Sequence, residues 1–367
     1  MAMKVNKDKY IGCIQGGAIG DALGAPIEFL SLAEIRDCYG KEGVQDYVEY
    51  KGPRGAFTDD TQMTLFTAEA LLRGEFAKIV RGIEGILNSL AHQSYLRWLH
   101  TQDIPVEKTL ESEGKFDIKK GWLVKQKELH KVRGPGHTVV SALSSGKAGT
   151  IKEPINDSKG CGTVMRIAPV GLIYHNNPRK AFSVGCDFSA ITHGHPTGYL
   201  SAGFLAAMIA YMASKEPIRT AIDKALGILN EWEMCQETVQ AIEGALALYK
   251  TIKESKREPS AETIEKLGAG WIAEEALAMS LLASLVYEND FRKGVLFAVN
   301  HSGDSDSTGS ITGNILGLNN GLKQIPIKWI RKLIAQNIVK EMGEDIHQKI
   351  VNTKDKNHKQ WESKYGE

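Results

Sequence analysis

Apolar residues recur along this chain mostly at helical spacing. In "TQMTLFTAEALLRG", Met63, Phe66, Thr67, Ala70 and Leu71 fall at i, i+3, i+4, i+7 and i+8, the stripe of a core-facing helix, with Gly74 placed to stop it. Similar patterns run through "TGYLSAGFLAAMIAYMAS", "CQETVQAIEGALALYKTI", "AEEALAMSLLASLVYE" and "IKWIRKLIAQNIVKEMGEDI". Alternation at period two is nearly absent. "GVLFAVN" fits either a strand or a buried helix, and its neighbours favour helix. From about Leu99 to Pro154 the pattern breaks into charges and turn signals, "EGK", "RGPG" and "SSGK", which read as an inserted loop and short-helix region. The expectation is one all-α domain over residues 11–345, a tail over 1–10 and a polar tail over 346–367.

Two predicted helices carry a second rhythm. Glycines stand at 12, 16, 20 and 24 in "GCIQGGAIGDALG", and at 309, 313, 317 and 321 in "SGDSDSTGSITGNILGLNNG". An interior glycine costs a helix roughly 0.5–1 kcal/mol relative to alanine. Four on one face suggest a smooth stripe that admits another backbone at close range; the alternative is a flexible or loop-like segment. If the two stripes face neighbours in one core, both helices are central elements, and Asp21 and Glu28 on one could converge with Asp304 and Asp306 on the other.

Composition narrows the class. The 367 residues are 42% hydrophobic and 24% charged, ordinary for a chain that buries a large core, and length alone would allow two domains. Lys plus Arg is 45 against 44 for Asp plus Glu, so no global field recruits nucleic acid or an anionic membrane. Five scattered cysteines without a CxxC pair suit a reducing, cytoplasmic setting. There is no apolar run of about 18 residues for a membrane span, nor one suited to a signal peptide at the start.

Acidic residues cluster twice. "FTDDTQM" opens the Met63 helix with Thr58, Asp59, Asp60 and Thr61, and "GDSDSTG" supplies Asp304, Asp306 and Ser307. One Asp or Thr at a helix start caps free N–H groups; two adjacent carboxylates exceed what a cap needs. Four carboxylates meeting in a partly buried site would repel one another unless a cation were bound. Hard oxygen donors favour Mg²⁺, Mn²⁺ or Ca²⁺ over Zn²⁺, and their number allows two ions with a bridging carboxylate. An EF-hand starting at Asp304 fails at its fifth and twelfth positions, which are Thr308 and Ile315. The DxDx[ST] nucleophile loop of a metal phosphatase would follow a buried strand, and here a helical chain precedes it.

Taken in order, "GGAIGDALGAPIEF", "FTDDTQM", "SKGCGTVMRIAPVG", "ITHGHPTGYLSA" and "SGDSDSTGSITG" resemble the motifs of the ADP-ribosylglycohydrolase family. The resemblance implies an all-helical, metal-dependent hydrolase with two divalent cations, Mg²⁺ or Mn²⁺. It makes Thr58, Asp59, Asp60, Asp304, Asp306 and Ser307 the ligands, Asp306 being the expected bridge. It implies Glu28, with Asp60, as the acids near the reacting sugar carbon. Ser158, Lys159, Gly160, Cys161, Gly162 and Thr163 would receive a diphosphate. His193 or His195 would contact substrate, or both bond backbone; Met165 and Arg166 read as structural, with Arg166 a partner for a buried acid. The implied reaction frees ADP-ribose from a modified protein, "THGHPTGYL" and "GDSDSTG" being closest to the arginine-specific branch. Ser302 departs from the family's usual glycine. A second use of the family is an immunity or antitoxin-type protein that binds a cognate ADP-ribosyltransferase.

Overall fold

The computed structural model describes residues 6–49, 52–106, 116–349 and 358–366; a stretch of the irregular insert, 107–115, lies outside them. Its regular structure is helical, with one isolated antiparallel bridge between Gly160 and Ile272 among the described residues. In chain order the helices are α1 (Lys7–Gly24), α2 (Leu32–Tyr39), α3 (Asp59–Arg81), α4 (Leu87–Thr101) and α5 (His137–Ser144). Next come α6 (Ala168–Ile173), α7 (Pro178–Ala190), α8 (Pro196–Ala213), α9 (Ile218–Leu229) and α10 (Gln236–Ser255). The carboxyl-terminal set is α11 (Ala261–Ile264), α12 (Ala273–Val286), α13 (Phe291–Val299), α14 (Ser305–Asn320), α15 (Ile327–Lys332), α16 (Gln336–Gln348) and α17 (His358–Tyr365). "GVLFAVN" falls in α13, as its neighbours suggest. All pack on one continuous core, and no helix among the described residues is long and apolar enough to cross a membrane.

The glycine stripes meet. A methyl group on Gly12, Gly16, Gly20 or Gly24 would come within 3.0 Å of the carbonyl oxygen of Gly317, Gly313, Gly309 or Ser305 respectively. The residue numbers rise along α1 as they fall along α14, so the helices run antiparallel with backbone pressed on backbone. The Asn314 amide donates to Cys13 O across this seam at 2.8 Å. Antiparallel packing sets the carboxyl end of α1 beside the amino end of α14. Gly321 stands apart from the stripe: it caps α14 with φ 80°.

One expected helix stop moves. α3 runs through Gly74 to Arg81 and ends on Gly82, which takes the left-handed conformation at φ 67°. Gly74 instead makes room for the Leu87 side chain of α4. The insert is irregular but closely applied to the body: the Gln62 amide donates to Leu129 O and Lys131 O, and Asp59 N donates to Arg133 O at 2.9 Å. At the far end, α17 lies against α3 with Trp361 and Tyr365 buried, the Tyr365 hydroxyl and Lys364 ammonium both donating to Asp345 at 2.7 Å.

Candidate active site

Asp21 organises the first acidic cluster. From the last turn of α1 its Oδ1 accepts from Thr58 N at 2.8 Å, and its Oδ2 accepts from Thr61 N at 3.0 Å and from the Thr61 hydroxyl. It thereby satisfies free N–H groups at the start of α3, and Thr58 Oγ1 accepts from Asp60 N at 3.3 Å as the N-cap. Asp59 and Asp60 are held in one orientation without either capping the helix. Sequence periodicity does not assign this work to Asp21; the available signal is its place between Gly20 and Gly24, on the seam with α14.

The second cluster is built in parallel. Asp304 Oδ1 caps α14 by accepting from Ser307 N at 3.2 Å, and Asp304 N donates to Ala269 O at 2.8 Å. Gly303, at φ 119°, lies where a side chain would strike that same carbonyl. Asp304 and Thr58 both lie close enough to Asp306 to shift its carboxyl, which couples the two clusters. Ser302 has a use for its departure from glycine: its hydroxyl accepts from Leu32 N at 2.9 Å, while its own N–H donates to Glu265 at 2.8 Å. The start of α2, just beyond the Glu28 turn, is thus tied to the second cluster.

Burial and mutual repulsion push these carboxyls upward together. Asp59, Asp60 and Asp304 are held well above the usual carboxylate range by burial and then by the charge of Asp306. Asp306 is raised by burial, while its neighbours Asp304 and Thr58 and nearby backbone N–H groups pull it the other way. Asp21 is pushed up to about 7 by burial and Asp306. Half-buried Glu28 rises to about 10 through burial and the charges of Asp306, Asp304, Asp59 and Asp21, which places it at the same cluster. None of the six forms an ion pair with a lysine or arginine among the described residues.

Two atoms bear on whether cations fit. Asp60 Oδ1 and Asp306 Oδ1 are buried and have no hydrogen-bond partner. An orphaned, buried carboxylate oxygen is destabilising unless a cation meets it. Among the described residues no group of three or more His, Cys, Asp or Glu side chains is already shaped to enclose a metal ion. The chemistry of the donor set nevertheless suits hard divalent ions: all-oxygen, strongly acidic and short of positive charge.

The 158–163 loop leans on the second cluster. Cys161 Sγ donates to Asp304 Oδ2 at 2.6 Å, and Cys161 N donates to Trp271 O at 3.1 Å. The Ser158 hydroxyl meets Thr138 Oγ1 of α5 at 3.2 Å, and Thr163 Oγ1 donates to Gly198 O at 2.9 Å. Lys159 turns its ammonium to Glu237 and Glu274 at 2.7 and 2.5 Å, so its side chain is already neutralised. Gly160 and Gly162 pass close to the His193 ring, where added methyl groups would come 3.3 and 3.2 Å from it. Burial, aided by Arg166, lowers His193 to about 3 and keeps it neutral. His193 and His195 do not share a strand face; they occupy the turn before α8, where His195 Nδ1 accepts from Thr197 N as the N-cap. Among the described residues Arg166 meets no carboxylate directly: it lies 4.4 Å over the Tyr95 ring and donates to Phe188 O and Thr192 Oγ1.

A family profile described as ADP-ribosylglycohydrolase matches residues 3–356. The chain belongs to the ADP-ribosylglycohydrolase family. Among its relatives is the ADP-ribosyl-[dinitrogen reductase] glycohydrolase of Rhodospirillum rubrum, 23% identical over 329 residues that cover 89% of this chain and 90% of that one. ADP-ribosylarginine hydrolase Tri1 of Serratia proteamaculans is 25% identical over 348 residues, covering 92% and 79%. A solved structure, an "ADP-ribosylglycohydrolase-related protein complex", shares the fold at a TM-score of 0.63 with 23% identity, covering 93% of this chain and 98% of that one. This ADP-ribosylglycohydrolase is therefore a hydrolase that removes ADP-ribose from modified substrates.

Proposed function

We propose that this ADP-ribosylglycohydrolase cleaves the N-glycosidic bond between ADP-ribose and a protein arginine, reversing mono-ADP-ribosylation. The reading is carried by the meeting of two acidic segments more than two hundred residues apart, with Asp60 Oδ1 and Asp306 Oδ1 buried and unpaired between them. Arginine is favoured by the "THGHPTGYL" and "GDSDSTG" motifs and by the name of the Serratia relative.

In this reading Thr58, Asp59, Asp60, Asp304, Asp306 and Ser307 would hold two divalent cations, Mg²⁺ or Mn²⁺. Such ions supply Lewis-acid chemistry, lowering the pKa of a water and orienting ribose hydroxyls. Asp21 keeps the first cluster in register. The Ser158–Thr163 loop takes the diphosphate mainly through its backbone, because Lys159 is engaged elsewhere and neutral His193 fixes the loop's floor. Among the described residues Glu28 has no hydrogen bond to its carboxyl, and it lies where it can move a proton. Water adds to the anomeric carbon through an oxocarbenium-like transition state, the carbon–nitrogen bond breaks, and the guanidine leaves bearing a proton that Glu28 or Asp60 carries across. Nothing in the fold or the comparisons favours a cognate transferase as a partner.

The test is release of ADP-ribose from arginine-ADP-ribosylated protein, with Mg²⁺ or with chelator. Release that stops on chelation is expected. Metal-independent release, or none from any linkage, overturns the reading.

A further inference from the structure

Phe29 and Trp271 are large apolar side chains left in water, 69% and 42% exposed. They come from segments 242 positions apart, yet their rings stack with centroids 5.6 Å apart and planes 23° from parallel. Both are carried by segments that border the acidic site. Phe29 follows Glu28 directly, on the turn that the Ser302 hydroxyl anchors at Leu32. Trp271 accepts from Cys161 N through its carbonyl, and a methyl group on Gly270 before it would come 3.3 Å from Asp304 Cβ. The two backbones that carry the rings are thus fixed by the same contacts that fix the second cluster and its loop.

Exposed aromatic faces beside a concentration of carboxylates form a surface for a planar cation: the ring quadrupole and the acids attract the same charge. A guanidinium is planar, always charged and weakly hydrated, which suits it to such a face. We propose that Phe29 and Trp271 form an aromatic platform for the guanidinium of an arginine-linked substrate and are specificity-determining residues. The platform rests on the arginine reading above. It faces the leaving group, and not the adenine, because Phe29 is one residue from Glu28, the acid assigned to the reacting carbon. A serine-linked substrate, whose leaving group is a neutral hydroxyl, gains nothing from it.

The experiment is steady-state hydrolysis of ADP-ribosyl-arginine by wild type, Phe29→Ala, Trp271→Ala and Trp271→Tyr, with product inhibition by free ADP-ribose measured in parallel. Each alanine variant is expected to raise KM about tenfold, with kcat within about twofold of wild type and ADP-ribose inhibition unchanged. Trp271→Tyr keeps a ring and is expected to stay close to wild type. An equal loss of ADP-ribose inhibition would put the nucleotide on the rings and overturn the proposal, as would unchanged KM in both alanine variants while wild type turns over. A wild type inactive on the arginine linkage overturns the platform and the arginine reading together.

Discussion

Asp60 and Asp306 each keep one carboxylate oxygen buried without a partner, and each lies in the repulsive field of its neighbours. Replacing either with asparagine relieves repulsion in the metal-free protein, so Asp306→Asn is expected to raise its stability by about 1 kcal/mol. The same change is expected to abolish the rise in melting temperature on adding Mn²⁺, read by thermal unfolding with and without the ion. His193 gives a pH signature of its own. Its ring, 1% exposed, titrates near 3 when folded against an ordinary 6.5. The unfolded chain therefore binds a proton in that window that the folded one does not, and His193 contributes stability above pH 6.5 that is lost as the pH falls toward 3. By pH 5 its contribution is expected to have dropped by about 2 kcal/mol, seen as a smaller stability difference between wild type and His193→Gln at pH 5 than at pH 7. The metal-ligand candidates were legible in sequence because paired carboxylates exceed what capping requires. The positioning work of Asp21 and Ser302 was not, because a side chain that serves a backbone in another segment leaves no local pattern, and His195, singled out for substrate, instead caps α8.

At the scale of elements, the seam between α1 and α14 decides where the site lies. Gly16 and Gly313 face each other's carbonyl oxygens across it. Alanine at either position forces apart a pair of helices buried along most of their length, with an expected loss of about 3 kcal/mol or more in denaturant unfolding. Gly227, on α9 with nothing within 4 Å of an added methyl, is the control. Its alanine variant is expected to gain about 0.5–1 kcal/mol. The four-residue glycine rhythm marks both helices as close-packing, but that the two stripes face each other is a tertiary pairing the sequence does not state. The end of α3 was not legible either: a glycine at position 74 reads as a stop, but the Leu87 side chain fills its space and Gly82 is the residue that turns the chain.

Over the whole molecule, antiparallel packing of α1 against α14 turns sequence distance into proximity. α3 is docked on that frame by Asp21, and the insert closes over its amino end through Asp59 N to Arg133 O. The all-helical class followed from periodicity alone, whereas the insert's placement depended on tertiary hydrogen bonds that its charged, irregular sequence does not announce. The proposed chemistry stands on the two acidic segments sharing divalent ions. Anomalous diffraction at the manganese edge, from crystals grown with Mn²⁺, measures this directly. Two peaks between Asp59–Asp60 and Asp304–Asp306 are predicted, and a density map with no manganese there, in crystals that took up the ion elsewhere or not at all, contradicts it.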